Sequence, residues 1–404
     1  MSRLAPEVPF VLLASAPWRT VGPVNCHHLA KRFAERGHRV LFVESSGLRS
    51  PSLLQSGHDR GKVARRLSGW LAGAREVAPR LHVMSPLVAP WGWPEPWRAL
   101  SLRGLARQVG AAARSLDLRR PVVWAQLPTG VLAAHAVEPR GVVYHCADDY
   151  ASNPGVDAVW IGELERRLLD QADLVFASSS VLCERLRTRR RDTELWPNVA
   201  DVTLFSRAVL EDGPEPPELR GVPRPRAVYV GNISTYKVDV ALLDELARTL
   251  PWLQILLVGE VGLGDTADAH GAVRTLCARG NVHRLGSRAP RALPDLLRHC
   301  DVGLIPFVLN GHTRSSLPLK LWEYLGAGLP VVATELPNLR SAGPEWAIRL
   351  TDGAGTFAAL VEKALGDPQG RRADRLELAR AHDWTPRIDA ILERLGSAGG
   401  RPPA

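Results

Sequence analysis

The sequence predicts an α/β protein of two doubly wound domains. Three observations carry this: apolar runs of strand length alternate with helical stretches, the alternation stops once in a proline-rich segment, and it then resumes. The 404 residues are too many for one compact core, and 45% hydrophobic with 23% charged residues is the balance of a globular chain.

The first unit opens with a strand at Phe10–Ser15, a helix at Asn25–Arg36 and a strand at Val40–Val43, the grammar of a parallel sheet. It continues through strands at Val122–Ala125, Gly141–Cys146 and Leu174–Ser178, with helices at Gly162–Gln171 and Val181–Thr188. Residues 1–206 therefore read as one doubly wound domain. Between Ser206 and Arg226 the pattern lapses, and Gly213-Pro-Glu-Pro-Pro217 with Pro223 and Pro225 predicts a stiff linker over 207–226. The second domain, 227–382, repeats the grammar: strands at Ala227–Gly231, Gln254–Gly259, Asp301–Pro306 and Val331–Thr334, helices at Ala241–Arg248 and Ala269–Arg279. Two such Rossmann-like halves are expected to face a central cleft, the usual seat of a ligand.

The net charge of +9 resides in Arg60–Arg80, Arg98–Arg120 and Arg185–Arg191, so an anionic partner would meet the first half; a solvated basic face is the plainer alternative. The many Arg, Ala, Gly and Pro residues beside only two Met suggest a coding bias, and no nucleic-acid partner is expected. Five cysteines without a CxxC pair read as buried thiols of a reducing compartment, and no zinc site is expected. Met1–Pro9 carries acid and proline ahead of a short apolar run. Neither a signal peptide nor a spanning helix is expected, and the address is cytoplasmic or the inner face of the membrane.

The segment richest in chemistry is Ser315-Ser-Leu-Pro-Leu-Lys-Leu-Trp-Glu-Tyr-Leu-Gly-Ala-Gly-Leu-Pro-Val-Val-Ala-Thr334. Ser315 or Ser316 is expected to cap a short helix with Pro318 in its first turn, ended by Gly326 to Gly328. Its N-terminus can seat a phosphate, and Lys320 adds a full charge. Glu323, three residues on, shares that face and can accept hydrogen bonds from the two hydroxyls of a ribose; a plain Lys-x-x-Glu surface pair is the alternative. In Val230-Gly-Asn-Ile-Ser-Thr-Tyr-Lys237 a lysine follows Gly231 by six residues, as glycine lets backbone approach a phosphate and lysine supplies charge.

These segments together resemble the donor-binding part of GT-B glycosyltransferases of the GT4-like group, in the form found in bacterial polysaccharide and teichuronic-acid-type transferases. Leu195-Trp-Pro-Asn-Val-Ala-Asp201 with Phe205, Cys300-Asp-Val-Gly-Leu-Ile-Pro-Phe307 and His382-Asp-Trp384 are similar to further family segments, so the resemblance runs from about residue 140 to 395. It implies a GT-B fold with a helix of about 383–396 crossing back onto the first domain, and a nucleoside diphosphate sugar as donor, probed as UDP- or GDP-linked. The implied donor residues are Gly231, Lys237, Arg314, Ser315, Lys320, Leu321 and Glu323, with Glu323 on the ribose glutamate. Asn232 stands where many members have arginine, so that diphosphate contact is either missing or supplied by Lys320 or Arg314. Ser315 stands where retaining members have a second glutamate, so the resemblance leaves retaining or inverting open.

An inverting reaction needs a base for the acceptor hydroxyl. Val142-Val-Tyr-His-Cys-Ala-Asp-Asp-Tyr150 ends a strand and offers Asp148 first, then Asp149 and His145; either aspartate could equally cap the next turn. Gly22, Asn25 and His27 occupy the loop and first helix where the family lets acceptor and donor phosphate approach, though a histidine on an entering helix is more often structural. No cofactor and no metal are expected: lysines can neutralise the leaving diphosphate, and the Asp-x-Asp of the other major transferase fold is missing. Pro90-Trp-Gly-Trp-Pro-Glu-Pro-Trp97 with Arg98, Arg103 and Arg107, and Lys62–Arg75 with Trp70 and Leu71, mix tryptophan with basic charge. The stretch 60–107 could lie on an anionic membrane beside a lipid-linked acceptor, or line a pocket for a small-molecule acceptor such as a secondary metabolite. The expected reaction is sugar transfer to a hydroxyl acceptor; a sugar-nucleotide epimerase and a non-catalytic binding module are the alternatives.

Overall fold

The computed structural model describes residues 3–20, 22–45, 68–89, 93–153, 155–262, 269–351, 354–367 and 371–398. The chain divides into two compact units, residues 1–197 with 387–404, and residues 198–386.

In unit 1 the strands β1 (Phe10–Leu13), β2 (Val40–Val43), β3 (Arg75–Ala78), β4 (Leu81–Met84), β5 (Val122–Ala125), β6 (Gly141–Cys146), β7 (Leu174–Ala177) and β8 (Glu194–Leu195) form a sheet in the order β3-β4-β2-β1-β5-β6-β7-β8. Every pair is parallel except β3 with β4. Strands β1, β2, β5 and β7 are buried at every residue, which is why their sequences are continuous apolar runs rather than alternating ones. The strand order reverses between β1 and β5.

Unit 2 has β9 (Arg226–Val230), β10 (Gln254–Val258), β11 (Val282–Gly286), β12 (Val302–Ile305), β13 (Val331–Thr334) and β14 (Ile348–Thr351), all parallel, in the order β11-β10-β9-β12-β13-β14. Here the order reverses between β9 and β12, so the carboxyl ends of those two strands form the switch point at which open α/β sheets bind ligands.

The boundary at Pro197 precedes the one expected at residue 206, and the expected linker is not a free spacer. Val202, Phe205, Ala208 and Leu219 all belong to the core of unit 2. Buried Arg226 fastens the proline-rich segment, donating from Nε to the Val222 carbonyl at 3.0 Å and from Nη2 to that of Leu219 at 3.1 Å, and pairing with Glu215 at 2.8 Å. The second boundary follows Pro386, so His382, Asp383 and Trp384 belong to unit 2 and the stretch from Arg387 to unit 1. Hydrogen bonds explain both shifts. Ala200 N–H donates to the His382 carbonyl at 3.1 Å, and Thr203 N–H to the Asp383 carboxylate at 2.9 Å, so residues 200–203 and 382–383 fold as one piece.

Helix Arg372–Arg380 backs the segment on which the expected site lies. Arg372 donates to the Ala327 carbonyl at 3.0 Å and Arg375 to that of Gly328 at 3.3 Å, placing two cations at the C-terminal end of helix Lys320–Gly326, where the helix dipole favours them. Arg375 and Arg349, 2% and 3% exposed at the side chain, both bond to Asp367, at 3.1 and 2.8 Å. Removing this shared carboxylate leaves two buried guanidiniums uncompensated. Asp367→Asn is expected to cost about 3–5 kcal/mol, read as a lower midpoint in urea unfolding; an unchanged midpoint would show that the two arginines do not depend on it.

Candidate active site

Within unit 2 the site is built at the switch point. β9 and β10 are each followed at once by a glycine with positive φ, Gly231 at 141° and Gly259 at 147°. A Cβ on Gly259 would lie 2.0 Å from the Gly231 carbonyl oxygen, so only glycine lets the two strand ends approach. A Cβ on Gly231 would meet Lys320 Nζ at 3.3 Å. The glycine of the Gly-x5-Lys segment thus makes room for a lysine from elsewhere in the sequence.

Lys320 Nζ rests over the rings of Tyr229, at 5.1 Å, and Phe307, at 4.9 Å; Lys237 Nζ lies over the same Phe307 ring at 5.8 Å. Two ammonium groups therefore converge on one aromatic ring at the end of β12. Among the described residues Lys320 makes no ion pair, with Glu323 or any other carboxylate, which removes the surface-pair alternative. Both Lys320 and Glu323 keep partial solvent access, yet protein crowds them on most sides. Burial first, and the Lys237 charge second, hold Lys320 well below the usual lysine range, with Glu323 pulling the other way. Burial likewise holds Glu323 above the usual carboxylate range against the influence of Lys320. Like charges brought together in a partly desolvated place are stabilised by an anion between them.

Helix Lys320–Gly326 is held by its own side chains. Leu321, Trp322, Tyr324 and Leu325 are buried, and the helix ends in a Schellman turn, with Gly328 N–H donating to the Leu325 carbonyl at 2.9 Å and Leu329 N–H to that of Tyr324 at 2.9 Å. The Tyr324 hydroxyl accepts from Val230 N–H at 2.8 Å, tying the helix to the end of β9, and its ring occupies space that a Cβ on Gly303 would invade at 2.4 Å. Trp322 stacks on His382 at 3.5 Å and donates to the Asn198 carbonyl at 3.1 Å. Asn198 donates in turn to the Leu317 carbonyl at 3.0 Å, and Asn338 to those of Arg314 and Ser316 at 3.0 and 3.1 Å. Asn198, His382 and Phe307 were visible only as family-like motifs; their roles as clamps and platform depend on contacts of Asn198 and His382 with Trp322 and of Phe307 with Lys237 that lie far apart in sequence, which no local spacing encodes.

Several expected donor residues take other roles. Ser315 does not cap helix Lys320–Gly326. It ends the preceding turn, Gly311–Ser315, itself capped by Asn310, and its hydroxyl bonds back to the His312 carbonyl at 3.0 Å. Ser316 adopts an extended conformation ahead of Pro318, and the helix starts after Leu319 without a side-chain cap. Leu321 is 0% exposed and packs in the core. Arg314 is exposed at the start of this segment.

In unit 1, His145 is a core histidine rather than a base. It lies 7% exposed in β6, edge-on to Trp124 at 5.6 Å, and burial, with Arg387 next, pushes it down to about 3. His27 is spent on structure: its Nε2 lies 2.9 Å from the Pro17 carbonyl, and its Nδ1 accepts from Val24 N–H at 3.1 Å, completing the cap of helix Asn25–Glu35. Asn25 opens that helix, and Gly22 has no heavy atom within 4 Å of where a Cβ would lie. Asp149 accepts from the Ser152 hydroxyl at 2.6 Å and heads the turn Tyr150–Ser152, with no side-chain bond to the turn's backbone. Asp148, half-buried at the end of β6, accepts from Asp149 N–H at 2.9 Å. Beside it, Tyr150 is held well above the usual phenol range by burial first and the Asp148 charge second. At the unit 1 switch point, fully buried Gln126 accepts from Ser15 through both the backbone N–H, at 3.3 Å, and the hydroxyl, at 3.0 Å, a link the sequence did not suggest.

All five cysteines are free. Among the described residues no three His, Cys, Asp or Glu side chains converge as a metal site, and no helix is long and apolar enough to cross a membrane. Residues 46–67 and 90–92, parts of the basic and tryptophan-rich stretches, lie outside the described residues.

Residues 224–367 match the family described as Glycosyl transferases group 1. The chain is 25% identical over 298 residues to TuaH of Bacillus subtilis (strain 168), described as a teichuronic acid biosynthesis glycosyltransferase, covering 70% of this chain and 73% of TuaH. In fold it is similar to sucrose-phosphate synthase (tll1590) of Thermosynechococcus elongatus, with TM-score 0.71 at 17% identity over 97% of this chain and all of that one. It is also similar to Anabaena Alr3699/HepE in complex with UDP-glucose, with TM-score 0.67 at 18% identity and the same coverage. At such identities the two structures bear on the fold alone.

The paired glycines give the site a local test. Gly259→Ala forces a Cβ into the Gly231 carbonyl in a conformation that L residues rarely adopt. A loss of roughly 3 kcal/mol in urea unfolding is expected, with weaker binding of pyrophosphate to what remains folded; a variant with wild-type stability would show that the close approach is not obligatory.

Proposed function

We propose that this chain, a glycosyltransferase of GT-B fold and GT4-like type, moves a hexose or related sugar from a UDP-sugar to a hydroxyl acceptor in the assembly of a cell-envelope polysaccharide. The observation that carries the donor half is the convergence of Lys320 and Lys237 on Phe307 beside Gly231, with Glu323 three residues along the same helix. The lysines neutralise the diphosphate as it leaves, Arg314 adds charge at the rim, and the Glu323 carboxylate accepts from the ribose hydroxyls. UDP is preferred over GDP because similar folds hold UDP or UDP-glucose, and the polysaccharide setting follows the description of TuaH. With a glycosyltransferase assigned, the epimerase and binding-module readings give way.

For the acceptor half, Asp148 takes the hydroxyl proton while the sugar carbon is attacked from the face opposite the leaving diphosphate, giving inversion. Its support is its place at the carboxyl end of β6, one residue nearer the strand than Asp149, whose carboxylate accepts from the Ser152 hydroxyl. No metal is needed, since the lysines supply the positive charge. The acceptor is lipid-linked and met at a membrane surface, through the tryptophan and arginine residues of 60–107.

In EDTA-containing buffer, wild-type protein should hydrolyse or transfer from UDP-glucose in preference to GDP- and TDP-sugars. Glu323→Ala should weaken UDP binding roughly 10- to 100-fold by calorimetry. Asp148→Asn should leave UDP binding intact and lower kcat by roughly 100-fold or more. Unchanged UDP binding by Glu323→Ala would sink the donor assignment, full turnover by Asp148→Asn the base, and dependence on added divalent cation the metal-free reading.

The lysine shift predicts a pH effect of definite sign. An anion favours the charged form, so UDP binding raises the Lys320 pKa from its depressed value in the free protein. Above that value, where Glu323 is also ionised, binding must take up a proton. Affinity should therefore fall with rising pH across the alkaline range, by up to about tenfold per pH unit, with proton uptake in calorimetry. A pH-independent affinity would contradict the assignment.

A further inference from the structure

Helix Trp97–Ser115 in unit 1 has 19 residues, four of them arginine and none acidic. Ser101, Leu102, Leu105, Val109, Gly110 and Ala113 face inward. Leu100, Arg103, Arg107 and Arg114 recur at spacings of three, four and seven, which sets them on one outward stripe, and all four are exposed. Among the described residues Arg103, Arg107 and Arg114 make no ion pair. Arg98, on another side of the helix, differs: it pairs with Asp157 at 2.8 Å and lies over Trp160 at 4.8 Å, fastening this helix to the start of helix Ala158–Gln171.

The apolar residues gather where the stripe begins. Trp93 and Trp97 pack edge to face at 5.7 Å yet remain 41% and 48% exposed, Leu100 is 54% exposed, and Val159 on the fastened helix is 85% exposed. Because helix Trp97–Ser115 leads into parallel strand β5, its first turn lies toward the sheet edge at which the strands end, the edge that carries Asp148 and Tyr150.

We infer that this arginine stripe, with the apolar cluster at its start, is a docking surface for an anionic lipid bilayer, set so that the acceptor edge of unit 1 faces the membrane. The inference rests on the membrane-side acceptor proposed above and names the surface that meets it. Guanidiniums gain from anionic headgroups, tryptophan rings sit at the interface, and Leu100 and Val159 gain by leaving water. A second copy of the chain is a poor occupant, since a self-complementary contact would set arginine against arginine. A polyanion in water satisfies the charges but leaves the apolar cluster wet.

The test is co-sedimentation of the full chain with vesicles of phosphatidylcholine, with and without about one third phosphatidylglycerol, at low and high salt. Wild type should bind the anionic vesicles and not the neutral ones. Arg103→Gln with Arg107→Gln should lower partitioning roughly 30-fold, and the corresponding lysine pair should retain most of it. Trp97→Ala with Leu100→Ala should make the remaining binding vanish at high salt. No binding to anionic vesicles, equal binding to neutral ones, wild-type partitioning of the glutamine pair, or a concentration-dependent dimer that the Trp97→Ala, Leu100→Ala variant loses would each overturn the proposal. UDP calorimetry on the same samples separates the two readings: these variants should bind UDP as wild type does, and loss of UDP binding by all samples would count against the donor site and not against the surface.

Discussion

The constraint on which the second unit turns is the pair of ammonium groups at the Phe307 ring. Two cations in a partly desolvated place repel, and the π-faces of Phe307 and Tyr229 offset only part of that cost. The fold therefore has to hold Lys320 there against its own preference for water. It does so with Gly231, whose missing Cβ leaves space for the ammonium, with Tyr324 tied to the end of β9, and with Trp322 locked between His382 and Asn198. Arg372 and Arg375 hold the far end of the same helix through its last carbonyls. A site that holds two like charges together is a place where local preferences yield to the fold.

That view gives meaning to segments with no charge of their own. The stretch around Asn198 and the stretch around Asp383 are distant in sequence but hydrogen-bond to each other, and both bear on helix Lys320–Gly326. They position the helix that carries Lys320 and Glu323. The proline-rich segment behaves similarly, as buried Arg226 gathers its carbonyls and docks it on unit 2.

In unit 1 the residues that look most reactive in one dimension are the most fully occupied. His145 has been desolvated into a neutral core ring, and His27 gives both nitrogens to backbone groups of its own loop. Asp148 and Asp149 are both half-buried at this strand end, Asp148 accepting from the Asp149 N–H and Asp149 from the Ser152 hydroxyl.

The sequence by itself determined the architecture, because strands buried on both faces must be continuous apolar runs, and such runs at Val40–Val43, Val122–Ala125, Gly141–Cys146 and Val331–Thr334 are visible without knowledge of their neighbours. It also determined that Lys320 and Glu323 share a helix face, since three residues are nearly one turn. What only the tertiary structure decided was who meets whom: that Gly231 serves Lys320, that Phe307 lies beneath both lysines, that Ser315 turns back into its own helix, and that the proline-rich segment is docked. Those outcomes depend on strand order and on contacts between residues far apart in the chain, and neither leaves a local period for the sequence to show.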